Sequence, residues 1–363
     1  MLIIHPVMKY MGGGERLCCE TIRTLLSRGD EVTLLSEAFD PREIEDYFGY
    51  HGLFDQVRMS LYPSEESRGD LGTTSHIIHH LKGQKRFLKE TKTSRSSFEL
   101  LFSTQDPSYF PDLSIPVVQW GYIPRPFPKL SRSRSPRAIA YSLRRTPLRL
   151  FYERKVARIG LVLAISQYAK EHLDKEWRRP SAVVYPACNM VNARPKRNLV
   201  ATVARAVPIK RLDLFWKVAA ARPQLDFIMV LTRDQAHLDY ANRLVQTAPS
   251  NGKVVFNAST EQYHGILGEA KAYLHFMEDE HFGITVVEAM SALCVPIVHD
   301  SGGPKETVDS SGGFLWKTIG EIPQMLDNAI SQLPSNALRE RAENFSVEKF
   351  QSRLSSILLQ LNG

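Results

Sequence analysis

The chain has no run approaching the ~18 to 20 consecutive apolar residues that a membrane-spanning helix requires, so insertion through helices is not expected. No signal-peptide pattern is read at the amino terminus either, because strand-like Leu2-Ile3-Ile4-His5 follows the first methionine directly. Cysteine is scarce: Cys18, Cys19, Cys188 and Cys294 form no CxxC pair, and two of them are neighbours on an expected helix. A disulfide framework and a zinc site are therefore both disfavoured, and a reducing cytoplasm fits better. There is no solenoid repeat, and the only low-complexity tract is the Ser/Arg run from Ser131 to Ser135. The last shortage is local. Between Arg125 and Arg158 one acid, Glu153, faces eleven basic residues.

That local imbalance accounts for the charge of the whole. With 46 Lys plus Arg against 39 Asp plus Glu the net charge is +7, yet outside this segment the chain stands at −3. A nucleic-acid coat would spread its positive charge, whereas this is a nearly neutral globule with one cationic strip. Hydrophobic residues at 43% and charged residues at 23% over 363 positions allow ordinary cores, and the length suits two or three domains.

Short β-branched and apolar runs alternate with helical periodicity, the pattern of parallel sheets covered by helices. In the first half strands are expected at Leu2–His5, Glu31–Ser36, Leu100–Thr104, Val117–Trp120, Gly160–Ile165 and Ala182–Tyr185. A second series runs Leu199–Ala204, Phe227–Leu231, Val254–Asn257, Tyr273–Phe276, Val295–His299 and Phe314–Trp316. The polar stretch 189–198 reads as the linker. The expected domains are 1–190 and 198–345, with 346–363 a terminal helix that can pack back on the first domain. Open sheets of this kind bind ligands beyond the carboxyl ends of their strands, so chemistry is sought just after each strand.

After the first expected strand comes Gly12-Gly13-Gly14-Glu15-Arg16. Glycines at a helix mouth let backbone approach a ligand, and the helix N-terminus favours an anion; the plainer reading is a flexible turn. The motif is not the GxGxxG dinucleotide fingerprint. Arg205 ends a strand and Lys210 follows before the next helix. Two cations there suit a diphosphate, against the alternative of an exposed turn with solvated charges. Glu280 follows a strand, and Glu288 lies eight residues on in the helix expected from Thr285. Both carboxylates can accept hydrogen bonds from sugar hydroxyls, although Thr285-x-x-Glu288 also fits a capping box. His275 and His281 read as core or surface histidines, because no cluster of ligand spacing makes a metal site. Asp300-Ser301-Gly302-Gly303-Pro304-Lys305-Glu306 again sets glycines after a strand and repeats the anion-site logic.

Together these motifs resemble glycosyltransferase family 4, retaining nucleotide-sugar transferases of the GT-B fold. The resemblance implies two Rossmann-like domains facing across a cleft, the first for the acceptor and the second for the nucleotide sugar. Within the family, His5-Pro6 before the glycines, Tyr185-Pro186-Ala187-Cys188-Asn189, Leu274-His275 through Ile284, and Asp300 to Lys305 are most similar to the dolichol-pathway GDP-mannose-dependent α-1,2-mannosyltransferases. Carried over, Arg205 and Lys210 would hold and stabilise the donor diphosphate. Glu280 and the backbone of Phe282, Gly283 and Ile284 would grip the donor sugar, and Glu288 the ribose. Gly13 and Gly14 would leave room for phosphates and acceptor. Where the family commonly has a histidine facing the donor sugar this chain has Gln119, which bonds a hydroxyl but carries no charge. No metal or other cofactor is implied. The alternatives are a UDP-hexose-dependent transferase with a different acceptor, or a sugar-nucleotide or glycan-binding protein of the same fold without turnover.

Within the strip, Arg144, Arg145, Arg149 and Arg154 interleave with aromatic and aliphatic residues, and Pro147 is expected to break it into two helical pieces. Such a face suits an anionic membrane surface; stacking on single-stranded nucleic acid and a solvated charged face compete. The transferase resemblance favours the membrane, with a lipid-linked or oligosaccharide acceptor, a peripheral cytoplasmic location and no nucleic acid.

Overall fold

The structure is a computed structural model that describes residues 1–63, 73–90, 98–124, 136–308 and 312–361. It divides into two compact units, one formed by Met1–Asp46, Tyr50–Ile165 and Ala169–Val184, the other by Tyr185–Gly363 with the short pieces Tyr47–Gly49 and Ser166–Tyr168.

The first unit runs β1 (Leu2–Ile4), α1 (Gly13–Ser27), β2 (Thr33–Glu37), α2 (Pro41–Phe48), β3 (Arg58–Tyr62), α3 (Thr73–Glu90), β4 (Leu101–Ser103), β5 (Val117–Gly121), α4 (Pro136–Ala157), β6 (Leu161–Ala164), α5 (Gln167–Trp177) and β7 (Ser181–Val183). Its seven strands are ordered β3-β2-β1-β4-β5-β6-β7, and every pairing is parallel. Strands β1, β2, β4 and β5 are buried at every position, as strands covered on both faces must be. Strand β3 was not expected from sequence. It is a sheet edge whose only fully buried residue is Tyr62, so it carries neither an apolar run nor a clean alternation.

The second unit runs β8 (Arg197–Arg205), α6 (Asp213–Ala220), β9 (Asp226–Thr232), α7 (Leu238–Gln246), β10 (Gly252–Phe256), α8 (Thr260–Glu269), β11 (Ala270–Leu274), α9 (Ile284–Ser291), β12 (Val295–His299), α10 (Gly302–Val308), β13 (Phe314–Trp316), α11 (Ile322–Ser331), α12 (Asn336–Glu343) and α13 (Val347–Leu361). Its parallel strands are ordered β10-β9-β8-β11-β12-β13. Phe215 and Phe227 meet edge to face at 5.3 Å in the core.

The stretch 189–198 is not a free linker. Val191 N donates to Ser291 Oγ at 2.8 Å, Arg194 N to Gly268 O at 3.0 Å, and the Lys196 ammonium to Ala270 O and Ala292 O at 2.8 and 2.6 Å. Its polar groups serve carbonyls at the ends of α8 and α9 and at the start of β11, where helix ends leave carbonyls without intrahelical donors. Helix α13 groups with the second unit. Just before it, Phe345 O accepts from Cys188 N at 2.9 Å, and the Phe345 ring packs on Tyr185 and Phe282.

Both sheets share one topological feature. In each, the first strand of the unit lies beside the fourth, β1 by β4 and β8 by β11, and the strand order reverses there. Open α/β sheets leave a crevice for ligands at that switch point, outside the carboxyl ends of the strands.

Candidate functional site

At the switch point of the second unit, Arg205 is the last residue of β8 and Glu280 lies on the loop after β11. Between them, Pro208–Lys210 forms a single 3₁₀ turn, and the Lys210 ammonium bonds Glu280 Oε2, joining the turns after the two adjacent strands. His275 Nε2 lies 3.5 Å from the same oxygen, and Glu280 Oε1 accepts from His281 N at 3.0 Å. Burial works to raise the Glu280 carboxyl, but the Lys210 charge and the His275 contact outweigh it, so the group is held well below the usual carboxylate range. His275 shifts down, chiefly by burial and with help from the Lys210 and His299 charges, although Glu280 opposes it. The outcome is a fixed carboxylate beside a neutral imidazole.

The loop carrying Glu280 is seated by glycines. Gly302 has φ +72°, and a Cβ on it would meet Glu280 O at 2.4 Å; one on Gly303 would meet His281 O and Phe282 Cα at 2.5 Å. Gly303 N donates to Glu280 O at 2.8 Å. The glycines therefore serve the packing of one loop on another, and the Gly303 N–H at the start of α10 is taken by the chain's own Glu280 carbonyl. Gly283 is the left-handed N-cap of α9, φ +89°, and makes no side-chain cap.

Glu288 does not close a capping box. Thr285 Oγ1 instead lies 2.7 Å from Tyr273 Oη, and Glu288, 1% exposed on α9, accepts from Asn189 N at 3.4 Å and Tyr263 Oη at 3.5 Å. The helix begins one residue earlier than the expected Thr285, because Gly283 can take the cap conformation that Thr285 would resist. Nearby, after β9 and β10, the Arg233 guanidinium stands 4.4 Å from the Phe256 ring centre, and Arg233 N donates to Asn257 Oδ1 at 3.2 Å.

At the switch point of the first unit, His5 after β1 and Thr104 after β4 join through Nδ1 and Oγ1 at 2.7 Å. Gly12 caps α1, Gly13 is its first residue, and Glu15 Oε2 accepts from Gly12 N at 2.8 Å. The helix mouth thus already holds a carboxylate of the chain, which qualifies the anion-site expectation. Gly14 is small for a packing reason: a Cβ there would lie 3.3 Å from Gln105 Nε2 and 3.5 Å from Tyr122 Oη. His5 Nε2 is 3.5 Å from Glu15 Oε1. Burial works to lower the imidazole, but Cys18 and Glu15 outweigh it and push it up to about 10. Gln119 is wholly buried in β5. Its amide nitrogen, with two hydrogens, shares them among the carbonyls of Ser103, Gln105 and Trp120, and its buried Oε1 has no partner among the described residues.

Part of the cationic strip lies outside the described residues: Arg125, Lys129, Arg132 and Arg134, together with the side chains of Arg137, Arg144 and Arg145. Helix α4 continues through Pro147 rather than breaking. A proline removes one helical hydrogen bond and crowds one carbonyl, which a helix anchored beyond it by buried Tyr152, Lys155 and Val156 absorbs. Two strip cations are structural. Lys155, 3% exposed, donates to Phe110 O at 2.8 Å and Asp112 Oδ1 at 2.7 Å, and Arg158 bonds Asp112 and Leu113 O. Arg149 pairs with Glu153 at 2.7 Å, and Arg154 and Leu150 are exposed.

Sequence reasoning missed Asp234, whose Oδ2 is 3.7 Å from Arg205 Nη1. Part of its signal was available, since it lies three residues beyond the expected strand end at Leu231, but its nearness to Arg205 follows from the pairing of β8 with β9. Tyr263 and the placing of His275 had no such signal.

Residues 189–349, most of the second unit, match the family model described as Glycosyl transferases group 1. The family expectation is supported over this stretch, which is similar to glycosyltransferase domains. A Dictyostelium discoideum protein named GDP-Man:Man(3)GlcNAc(2)-PP-Dol alpha-1,2-mannosyltransferase is 25% identical over 233 residues, 55% of this chain and 46% of that protein. The chain thus spans about half the length of this relative. Among solved structures, Anabaena HepE in complex with UDP-glucose covers 99% of both chains with a TM-score of 0.71 at 16% identity. Sucrose-phosphate synthase from Thermosynechococcus elongatus covers 99% of this chain and 98% of its own with a TM-score of 0.72 at 15% identity. The fold is GT-B, with two parallel-sheet α/β units.

Proposed function

We propose that the protein is a retaining glycosyltransferase that moves mannose from GDP-mannose to a lipid-linked or other glycan acceptor at the cytoplasmic face of a membrane. The observation that carries this reading is the Lys210–Glu280 contact across the β8/β11 switch point, with Arg205 on the same strand end. Glycosyl transfer develops positive charge on the sugar and negative charge on the departing diphosphate, so fixed cations at the diphosphate supply the main stabilisation. Arg205 and Lys210 are those cations. Glu280, held ionised, accepts hydrogen bonds from donor-sugar hydroxyls, with the backbone of Phe282, Gly283 and Ile284 beside it; Glu288 serves the ribose in the same way. In the first unit, Gly13, Gly14 and Gln119 Oε1 are the proposed contacts for donor phosphates, donor sugar and acceptor. The name of the Dictyostelium relative, a mannosyltransferase that takes GDP-Man, supports mannose and GDP.

The test is a panel of GDP- and UDP-sugars read by thermal shift and by transfer or hydrolysis. A ligand at ~100 times its dissociation constant adds about 2.7 kcal/mol to stability, so the correct donor stands out. GDP-mannose should lead the panel, and Arg205→Ala and Lys210→Ala should each lower turnover by at least ~10²-fold. Leadership by a UDP-hexose would transfer the assignment to that donor, and binding without turnover would make this a sugar-nucleotide-binding protein. Near-normal turnover in both variants would end the assignment of these cations.

No helix among the described residues is long and apolar enough to cross a membrane. A peripheral contact through Arg144, Arg145, Arg149, Arg154 and exposed Leu150 is therefore part of the proposal. The protein should sediment with anionic and not with neutral vesicles, and sedimentation with neither would remove the membrane from it.

A further inference from the structure

Each of the two proposed diphosphate cations faces a carboxylate of the chain: Lys210 bonds Glu280, and Arg205 Nη1 stands 3.7 Å from Asp234 Oδ2. Glu280 has its own proposed work on the sugar, but Asp234 has none. It follows β9, the neighbour of β8, and its two oxygens are used differently. Oδ1 caps the 3₁₀ turn Gln235–His237, accepting from Ala236 N at 3.0 Å and lying 3.0 Å from His237 Nδ1. Oδ2 is turned toward Arg205. The acid side chain is 13% exposed and the arginine 40%, so the fold holds the anion in place while the cation at the strand end is free to exchange partners.

We infer that Asp234 is an internal competitor of the donor, pairing with Arg205 and yielding it to the diphosphate, and so a determinant of donor affinity. The inference rests on the proposed role of Arg205. Its physical basis is an exchange of like contacts: a guanidinium that leaves a carboxylate for a diphosphate gains only the difference between the two, and Asp234 remains nearby as a negative charge. Exposed ion pairs of this kind are weak, so the effect is moderate. Removing the carboxylate charge should tighten nucleoside diphosphate binding by about two- to fivefold.

Asp234→Asn is the suitable change, because an asparagine keeps an Oδ1 for the cap on Ala236 N and presents an amide nitrogen, which repels the arginine's donors, in place of Oδ2. Asp234→Ser, which also caps, is the second variant should the first be unstable. GDP and UDP binding are measured by titration calorimetry at one ionic strength for the full chain, Asp234→Asn, Asp234→Ser, Arg205→Ala and the double variant. The expected result is tighter binding in Asp234→Asn, weaker binding in Arg205→Ala, and a clearly smaller effect of Asp234→Asn once Arg205 is gone, when only the direct repulsion is left to remove. GDP binding unchanged or weakened by both Asp234 variants overturns the inference while the donor reading stands. Equal tightening with and without Arg205 also overturns it, since the carboxylate would then act at a distance and not by holding the arginine. Absence of GDP and UDP binding in every protein overturns the donor reading and the inference with it.

Discussion

Gly303→Ala tests whether the loop that carries Glu280 is built on the absence of a side chain. A Cβ at position 303 would lie 2.5 Å from both His281 O and Phe282 Cα, and 2.8 Å from His281 C. All three are backbone atoms, so no side chain can swing aside. Restoring an ordinary contact of about 3.4 Å requires the two loops to part by about 0.9 Å. That separation would also stretch the 2.8 Å bond from Gly303 N to Glu280 O beyond hydrogen-bonding range. Overpacking costs about 1–3 kcal/mol, and the lost bond adds about 0.5–1.5 kcal/mol, so a loss of about 2–4 kcal/mol is expected. For a unit of this size each kcal/mol moves the midpoint by about 2–4 °C, a total of roughly 5–15 °C. Turnover should fall further than stability suggests, because a displacement of about 1 Å in a positioning element can cost ~10²-fold. Calorimetry of the full chain, together with donor turnover at a temperature where the variant remains folded, measures both. Gly320→Ala, whose Cβ would meet nothing within 4 Å, is the control and should stay within about 0.5 kcal/mol of the parent. A Gly303→Ala protein that melts with the parent and turns over normally would refute the account of this loop.

The buried His5–Glu15 pair predicts an alkaline loss of stability. The His5 imidazole is raised from 6.5 to about 10 in the folded chain, so its contribution is complete below 6.5 and disappears as pH rises through 10. The Glu15 carboxyl shifts the other way: burial raises it, but His5 and the Gly12 N–H outweigh burial, so its contribution is lost only in acid. Melting temperatures measured from pH 6 to pH 10 should fall more steeply in the parent than in His5→Gln, and parallel curves would contradict the pairing. Lys196→Met should cost about 2–3 kcal/mol, because it strips a charged donor from Ala270 O and Ala292 O; an unchanged midpoint in denaturant would show that those carbonyls find other partners.

Much of this fold was legible in the chain because parallel strands buried on both faces are written as apolar runs. Leu2 to Ile4, Leu101 to Ser103 and Val295 to His299 have little other use. Edge strand β3 escaped for the same reason, since Arg58-Met59-Ser60-Leu61-Tyr62 has only one fully buried side chain. Pro147 misled because its local cost is real but small beside the packing that holds the helix beyond it. The residue types of the candidate site were also readable, since strand-end position and charge sign are both properties of sequence.

What the chain by itself determined is therefore the parallel α/β architecture, the position of Arg205, Lys210 and Glu280 at or after strand ends and of Glu288 on the helix that follows, and the cationic strip with its single acid. Only the tertiary structure decided which charges meet. Sequence distance says nothing of the 70 residues between Lys210 and Glu280, of Asp234 turned toward Arg205, or of Lys155 withdrawn from the strip to bond Phe110 O. Nor could it say that Gly302 and Gly303 are small to admit the Glu280 loop rather than a ligand. These are consequences of strand order: β8 lies against β9 on one side and β11 on the other, so turns far apart in the chain share one end of a sheet. Charge interactions depend steeply on distance, and that distance is set by the sheet.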